Sequence, residues 1–326
     1  MRVLVTGAAG FIGSVVTEQL VEQGYEVAAL DSLQHGHRGA VHEHATFVQC
    51  DLLDARALTR VVAETAPDAV VHLAAEALID ASLRDPGLFF RANLTGGINL
   101  LDAMAAAGVR RLVFSSTAAV YGEPEGIPIP EDAPHRPVNA YGESKLAFER
   151  ILPWYRNAHG LNHISLRYFN ACGATERSGE YHVPETHIIP IVFEVALGQR
   201  KAIQLYGTDY DTPDGTCLRD YIHVADIAQA HLKALACIDK IGARAYNMGN
   251  GTGFSNKEVI ETVGRVAGRD IAVVPAARRP GDPARLVASS ARIRDELGWT
   301  PRYPALETMV RTAWEWRQRH PQGYER

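Results

Sequence analysis

Three glycines near the N-terminus, Gly7, Gly10 and Gly13, constrain the fold of this chain more than any other feature. They follow a short aliphatic and β-branched run at residues 3–6 and open an amphipathic stretch that begins at Phe11. Strand, glycine-rich turn and helix in this order begin a dinucleotide-binding unit, because glycines let the backbone approach a pyrophosphate. The phosphate charge then lies at the positive end of the helix. The pattern predicts a nucleotide cofactor and an α/β fold.

Strand-like and helix-like segments alternate through the first half of the chain. The predicted strands are residues 3–6, 25–30, 46–50, 69–73, 111–115 and 164–168, and the predicted helices are 11–23, 55–64, 87–107 and 141–158. This alternation predicts a doubly wound, mainly parallel sheet of the Rossmann type, with helices on both faces.

The pattern loosens after about residue 171. A polar loop at 174–185 precedes a predicted helix at 187–197 and a strand at 202–206, and further helices are predicted at 224–238 and 305–319. We expect helix 224–238 to return to the first sheet. Residues 1–171 and 221–241 are therefore predicted to form the NAD-binding domain, and residues 172–220 and 242–326 a smaller, mixed α/β substrate domain.

Composition limits the classes of partner. The formal net charge of −5 argues against nucleic acid, which requires a basic face, and no apolar run approaches the length of a membrane span. We find no secretion signal, and the cysteines are scattered without a CxxC pair, as in a cytoplasmic protein with reduced thiols: Cys50, Cys172, Cys217 and Cys237. We expect no membrane, nucleic-acid or metal partner.

Acidic residues at the ends of two predicted strands extend the cofactor site. Asp31 ends the second strand, where a carboxylate binds the adenosine ribose and repels a 2′-phosphate, so NAD is favoured over NADP. The alternative is that Asp31 only caps a turn. The predicted cofactor-binding residues are Gly7, Gly10, Phe11, Ile12, Gly13, Asp31, Ser32, Asp51, Leu52, Leu73, Ala74, Ala75, Asn93, Ser115, Tyr141, Lys145, Tyr168 and Phe169.

Tyr141 and Lys145 are the candidate catalytic pair. Residues four apart share one face of a helix, so the phenol lies beside the ammonium and, if the glycine motif is functional, near the nicotinamide. Both positive charges favour the phenolate, so a group with an ordinary pKa of about 10 can act as a base near neutral pH. The pair indicates redox chemistry at an alcohol carbon.

The spacing GxxGxxG together with Tyr-x-x-x-Lys resembles the extended short-chain dehydrogenase/reductase superfamily. The resemblance implies a Ser or Thr at the end of the strand before the tyrosine helix, and residues 115–117 supply one. We assign Thr117 the hydrogen bond to the reacting oxygen. A Ser/Thr run that ends a strand is also a common turn, so this assignment depends on the other two residues.

Within that superfamily the chain is similar, almost end to end, to the UDP-glucose/UDP-galactose 4-epimerases. The segments that carry the similarity are Arg167-Tyr168-Phe169-Asn170 and the stretches 184–190, 214–224, 279–282 and 320–324. The similarity implies that Arg219 and Arg279 hold the diphosphate, where guanidinium groups match phosphate oxygens. The implied substrate-binding residues are Thr117, Tyr141, Asn170, His187, Gln204, Leu205, Tyr206, Arg219, Arg279, Asp282 and Leu286.

The implied reaction begins when Tyr141 removes the proton of the sugar 4-hydroxyl while C4 gives hydride to tightly held NAD. The 4-keto sugar turns about its link to the diphosphate and regains hydride on its other face. The family further implies a homodimer packed through the helices that contain Leu100 and Leu152.

Two departures from the family pattern concern the substrate. Ala77 stands where the family has Lys, and residues 79–82 differ from its Val-Gly-Glu-Ser, so cofactor retention and sugar placement are affected. The similarity implies that Leu286 is the gate, the residue that limits the space beside the sugar. Leu286 is smaller than the Tyr of some relatives, so UDP-N-acetylhexosamines or another NDP-sugar are alternative substrates.

Three rival functions remain on this fold. A nucleotide-sugar 4,6-dehydratase needs an Asp-Glu pair after the catalytic Thr, where this chain has Ala118 and Ala119. A sugar dehydrogenase that releases its reduced cofactor is disfavoured by the motifs of the second half. A non-catalytic NAD(H)-binding sensor has no use for a base beside the nicotinamide.

Overall fold

Seven parallel strands form the central sheet of the computed structural model, which describes residues 1–279 and 282–324. The strand order is β10-β6-β5-β4-β1-β2-β3, so the chain starts in the middle of the sheet and reverses direction next to β1. The seven strands are β1 (Arg2–Thr6), β2 (Glu26–Asp31), β3 (Thr46–Gln49), β4 (Ala69–His72), β5 (Arg111–Thr117), β6 (Asn162–Tyr168) and β10 (Ala243–Met248).

Helices cover both faces of this sheet, and the alternation of side chains along β1 shows why. Val3 and Val5 belong to one buried cluster with residues of α1 and α8, whereas Leu4 points to the opposite cluster with residues of α2, α5 and α6. Each such buried side chain contributes about 1.5–3 kcal/mol of transfer free energy. The helices are α1 (Phe11–Glu22), α2 (Ala55–Thr65), α5 (Gly96–Ala106), α6 (Ala140–His159) and α8 (Val224–Ile241). The predicted doubly wound sheet is confirmed.

The single helix predicted at 87–107 is three consecutive helical pieces. α4 (Pro86–Phe89) leads into a π-helical segment, Phe90–Thr95, and then into α5. The short helix α3 (Ile79–Arg84), which the sequence pattern did not predict, precedes them. Periodicity cannot place a π turn, because one wider turn changes little in the hydrophobic pattern.

In its described part, the second half of the chain adds two small sheets and four helices beyond α8, and α7, α9 and α11 surround another apolar core. Strand β9 is central, with β7 and β13 parallel to it and β11 antiparallel, while β8 and β12 form a separate parallel pair. The bounds are β7 (Asn170–Cys172), α7 (Ile188–Ala196), β8 (Ile203–Tyr206), β9 (Leu218–His223), β11 (Gly253–Ser255), α9 (Asn256–Ala267), β12 (Val273–Ala276), β13 (Arg285–Leu286), α10 (Ala291–Leu297) and α11 (Leu306–Arg319).

Helix α8 packs against α1, β5 and β6, as predicted for residues 224–238. Strand β10 follows it and pairs with β6 at the edge of the seven-stranded sheet. We therefore propose that the cofactor domain extends past residue 241 to include β10. Among residues 1–279 and 282–324, no helix combines the length and apolar character needed to cross a bilayer.

Candidate active site

The glycine turn after β1 has the shape that a pyrophosphate requires. Gly7 has a positive φ of 73°, and a Cβ there would lie 2.5 Å from the backbone nitrogen of Ala74. A Cβ at Gly13 would lie 1.9 Å from the Gly7 carbonyl oxygen, so this glycine lets α1 pack against the turn. At Gly10 a Cβ would meet, among the described atoms, a single neighbour at 3.4 Å. Gly10 thus leaves open the space in front of the helix.

The start of α1 has backbone donors for an anion. Gly10 occupies the N-cap and carries no side chain, so the amides of Phe11 and Ile12 are not capped by it. Asp31, at the end of β2, accepts hydrogen bonds from the Ala9 amide at 2.9 Å and the Leu33 amide at 2.8 Å. The carboxylate therefore joins the end of β2 to the glycine turn. The open cradle and the adjacent buried acid fit a dinucleotide.

The other predicted cofactor residues follow the strand ends. Asp51 bonds the Leu53 amide at 2.9 Å, and Leu52 is buried under the sheet. The turn of Leu73, Ala74 and Ala75 leaves β4 directly beside Gly7. Ser32 follows Asp31, and its hydroxyl accepts from the Gln34 amide at 3.3 Å.

Asn93 lies in the π-helical segment, and its amide bonds other parts of the protein. Its Oδ1 accepts from the Glu76 amide at 2.8 Å, and its Nδ2 donates to the Glu76 carbonyl and to Ser144 Oγ at 3.0 and 2.9 Å. Asn93 thus ties the loop after β4 to the helix of Tyr141. Its predicted contact with the cofactor stays a prediction.

Thr117, Tyr141 and Lys145 converge where β5 ends. Thr117 is the last residue of β5, and Tyr141 is the second residue of α6, whose N-cap Asn139 accepts from the Gly142 amide at 2.8 Å. Lys145, one turn further along, is buried and donates to the Ser115 carbonyl at 2.8 Å. The strand and the helix together hold the three functional groups at one corner.

Burial opposes charge on both members of the pair. It raises the pKa of Tyr141, which the Thr117 hydroxyl lowers in part, and it lowers the pKa of Lys145 to about 7. In the cofactor-free protein the pKa of the phenol is therefore not lowered. The expected lowering, which involves the charges of both Lys145 and a bound nicotinamide, stays a prediction.

Tyr168 and Phe169 end β6 beside this corner. The Tyr168 hydroxyl lies 2.5 Å from His231 Nε2, and burial raises its pKa. The Phe169 ring is buried in a small cluster with Ala118, and Leu286 packs against the same cluster. Register places Leu286 beside Arg219, because β13 pairs with β9 at these two residues.

Each candidate diphosphate-binding arginine in the second half of the chain contacts another side chain of the protein. Arg219 forms an ion pair with Asp282, and the guanidinium of Arg279 lies 4.1 Å from the centroid of the Tyr206 ring. The Tyr206 hydroxyl donates to Gln204 Oε1 at 2.5 Å. Leu205, which separates Gln204 from Tyr206 along β8, is buried. Asn170 starts β7 opposite Tyr221 of β9.

His187 contacts two carboxylates of its own loop. It is the N-cap residue of α7, and its Nδ1 lies 2.8 Å from Glu180 Oε1 and 2.9 Å from Glu185 Oε1. This nitrogen is therefore turned toward two carboxylates of its own loop. The predicted contact of His187 with the substrate stays a prediction.

A buried network behind the catalytic strand was missed in the sequence. Arg167 Nη2 lies 2.6 Å from Glu149 Oε2, and its Nη1 donates to the Tyr121 hydroxyl at 2.8 Å. Ser116, next to Thr117, donates to the same Glu149 carboxylate. Arg167 is in the motif that carried the family resemblance, but its partners lie 18 and 46 residues away, so no local pattern shows them.

Comparison with known proteins agrees with this geometry. Residues 3–249 match the model of the NAD dependent epimerase/dehydratase family. The UDP-glucose 4-epimerase of Halalkalibacterium halodurans is 49% identical over 99% of this chain and 98% of its own. A crystal structure of a UDP-glucose 4-epimerase superposes with a TM-score of 0.97, at 45% identity over all of both chains. The UDP-glucose 4-epimerase of Bifidobacterium longum, solved with NAD⁺ and UDP, has a TM-score of 0.95 at 36% identity, over 99% of this chain and 100% of that one.

Proposed function

Because the chain belongs to the NAD dependent epimerase/dehydratase family and resembles UDP-glucose 4-epimerases over its whole length, we infer that it is an NAD-dependent UDP-glucose 4-epimerase. It interconverts UDP-glucose and UDP-galactose through a transient 4-keto sugar. The observation that carries this conclusion is the convergence of Thr117, Tyr141 and Lys145 at the end of β5, on the same sheet edge as the glycine turn.

The cofactor binds at the carboxyl ends of the strands. The amides at the start of α1 and the open face of Gly10 receive the pyrophosphate, and Asp31 binds the adenosine ribose. When bound, NAD⁺ accepts hydride from the sugar C4 and, once reduced, returns it. Each turnover regenerates the oxidised form, so no external NAD is consumed.

Tyr141 is the proton-transfer group. Its phenolate takes the proton of the sugar 4-hydroxyl, and Thr117 donates a hydrogen bond to the same oxygen. The Lys145 ammonium, held by the Ser115 carbonyl, stabilises the phenolate by its charge. After the keto sugar has rotated and C4 has regained hydride on its other face, the Tyr141 phenol returns the proton to O4.

The second half of the chain holds the nucleotide and leaves the hexose free to turn. Arg219 and Arg279 bind the diphosphate. The half-buried ion pair of Arg219 with Asp282 orients the first guanidinium, and Tyr206 lies under the second. Asp282 binds a ribose hydroxyl, and the segment Gln204–Tyr206 flanks the uracil. Firm recognition thus falls on UDP, as rotation of the keto sugar requires.

The homodimer is proposed through helices α5 and α6. Leu100 and Leu152 are buried within the chain and cannot themselves form the interface. Trp154, on α6, is 72% exposed, and we propose it as the centre of the dimer contact. Trp154→Glu should convert the dimer into monomers, measured by light scattering with size-exclusion chromatography, whereas an unchanged mass would place the interface elsewhere.

The function is tested by incubating the purified protein with UDP-galactose and no added NAD. UDP-glucose formation by the wild type, together with a loss of about 10³-fold or more in Tyr141→Phe that still retains NAD, is the expected result. Bound NAD without turnover in the wild type would instead indicate a sensor. Accumulation of free NADH with a keto product would indicate a dehydrogenase.

A further inference from the structure

The loop between β7 and α7 gathers four metal-ligating side chains outside the catalytic corner. They are Glu180, His182, Glu185 and His187, and one ligand atom from each lies within 4.8 Å of all the others. Two histidines and two carboxylates in this short segment form the pattern Glu-x-His-x-x-Glu-x-His. Imidazole nitrogens with carboxylate oxygens are a ligand set that zinc accepts.

The distances within the cluster match a tetrahedral site. Zinc bonds of about 2.0–2.1 Å place the ligand atoms of a tetrahedron about 3.3 Å apart. His187 Nδ1 lies 2.8 Å from Glu180 Oε1 and 2.9 Å from Glu185 Oε1. His182 Nδ1 lies 3.4 Å from Glu180 Oε1 and 3.8 Å from Glu185 Oε2. These four separations lie on either side of the edge of a zinc tetrahedron, with Glu185 presenting a different oxygen to each histidine.

Hydrogen bonds satisfy this cluster only in part: Glu185 Oε1 accepts from the Thr186 and His187 amides at 2.7 and 2.8 Å, whereas the histidine nitrogens are less well matched. The single hydrogen on His187 Nδ1 faces two carboxylates, and it cannot form a linear bond to both. His182 Nδ1 is buried and forms no well-aligned hydrogen bond among the described residues, although Glu180 Oε1 lies 3.4 Å away. A cavity of about 40 Å³, lined in part by Glu180, His182 and Glu185, adjoins these atoms and is large enough for an ion. This buried nitrogen and the two carboxylates beside it are all groups that can become ligands of a cation.

We propose that Glu180, His182, Glu185 and His187 bind one zinc ion in a tetrahedral site. Four protein ligands leave no open position, so the ion has a structural role. This proposal departs from the expectation of no metal partner, and it assigns His187 Nδ1 to the metal. A role of His187 toward the substrate would then use another of its atoms.

The position of the loop indicates what the ion stabilises. Tyr181, between two of the ligands, accepts a hydrogen bond from His37 Nε2 at 3.0 Å through its carbonyl, and its ring lies against Gly323 near the C-terminus. His37 follows Asp31 in the cofactor half of the chain. Zinc would therefore fix a segment that joins the cofactor half, the C-terminal segment and the start of α7.

Metal binding is measured on the full-length protein after treatment with a chelator. Titration with Zn²⁺ should give one bound ion per chain with a submicromolar Kd, and Co²⁺ should give the intense visible absorption of a tetrahedral site. His182→Gln should weaken zinc binding by 100-fold or more. His44→Gln, an exposed histidine outside the cluster, is the matched control and should bind as the wild type does.

Thermal unfolding separates binding from a folding defect. Zinc should raise the Tm of the wild type and of His44→Gln but not that of His182→Gln, while the zinc-free proteins unfold at similar temperatures. If His182→Gln does not fold, the isosteric Glu180→Gln takes its place. Zinc binding equal in all variants, an octahedral cobalt spectrum or the absence of stoichiometric binding would overturn the site.

Discussion

The ammonium of Lys145 donates a 2.8 Å hydrogen bond to the backbone carbonyl of Ser115, which ties α6 to the end of β5. The same ammonium lies 4.9 Å from the centroid of the Phe114 ring. The charge is thus held in place by a strand carbonyl and an aromatic face. The position of this charge therefore depends on how α6 packs against the end of β5.

Removing this charge should shift the pH dependence of catalysis. In Lys145→Met the phenolate of Tyr141 loses a stabilising cation, so the pKa of Tyr141 rises and less base is present at neutral pH. We expect epimerisation at pH 7 to fall by about 10²- to 10⁴-fold and to recover partly as the pH is raised. Rates measured from pH 6 to 10 test this, and a profile reduced in height but unshifted would contradict it.

The same variant should alter the stability of the cofactor-free protein in the opposite sense. Burial lowers the pKa of Lys145 from 10.5 to about 7, so the folded state binds fewer protons than the unfolded state between these values. The wild type therefore gains stability as the pH rises toward 10 and loses it as the pH falls toward 7. Lys145→Met should be more stable than the wild type near pH 7, by up to about 4 kcal/mol, with the difference fading toward pH 10. Urea unfolding at a series of pH values measures this, and a pH-independent difference would refute it.

Two glycines of the cofactor turn should respond differently to a methyl group. In Gly13→Ala the new Cβ would lie 1.9 Å from the Gly7 carbonyl oxygen, so α1 must move and the free energy of unfolding should fall by roughly 3 kcal/mol. In Gly10→Ala the fold should persist, while NAD affinity falls at least tenfold, about 1.4 kcal/mol, because the methyl enters the pyrophosphate space. Urea unfolding and NAD titration distinguish the two. Equal effects of the variants on both measurements would be inconsistent with this arrangement.

The buried ion pair behind the catalytic strand should be costly to break. The side chains of Arg167 and Glu149 are 4% and 10% exposed, and Glu149→Gln would leave the guanidinium without its counter-charge. We expect a loss of about 3–5 kcal/mol in the free energy of unfolding. The matched control is Glu125→Gln, whose partner Arg136 is 69% exposed and whose own side chain is 77% exposed. That control should change stability by less than about 1 kcal/mol, and similar losses in both variants would argue against the prediction.

The size of residue 286 should set the range of sugars. Leu286 packs against the cluster of Ala118 and Phe169, next to Arg219 in register, where it can contact the hexose. Leu286→Tyr should reduce kcat/KM for UDP-N-acetylgalactosamine by about 10- to 200-fold relative to UDP-galactose. Leu286→Met, of similar volume, should leave the ratio nearly unchanged. An unaltered ratio in the tyrosine variant would show that the gate lies elsewhere.

Local patterns predicted much of the fold and the first part of the site. The predicted ends of β1, β2 and β5 lie within one or two residues of the observed ends, because buried parallel strands are short continuous apolar runs. Helix α6 was predicted from its periodicity, and Tyr141 and Lys145 follow from it. The strands β7 and β13, two or three residues long, carry too little pattern to be predicted, and the six-residue β9 was not predicted either.

The sequence by itself determined the order of strands and helices, the glycine turn and the candidate reacting groups, because these depend on neighbours within a few positions. Only the tertiary structure decided which distant groups meet: Arg219 with Asp282, Arg167 with Glu149, and Lys145 with the Ser115 carbonyl. It also decided the pKa values, since burial sets them and burial is a property of the packed chain. Contacts between residues far apart in the chain leave no periodic signal, so folding alone specifies them.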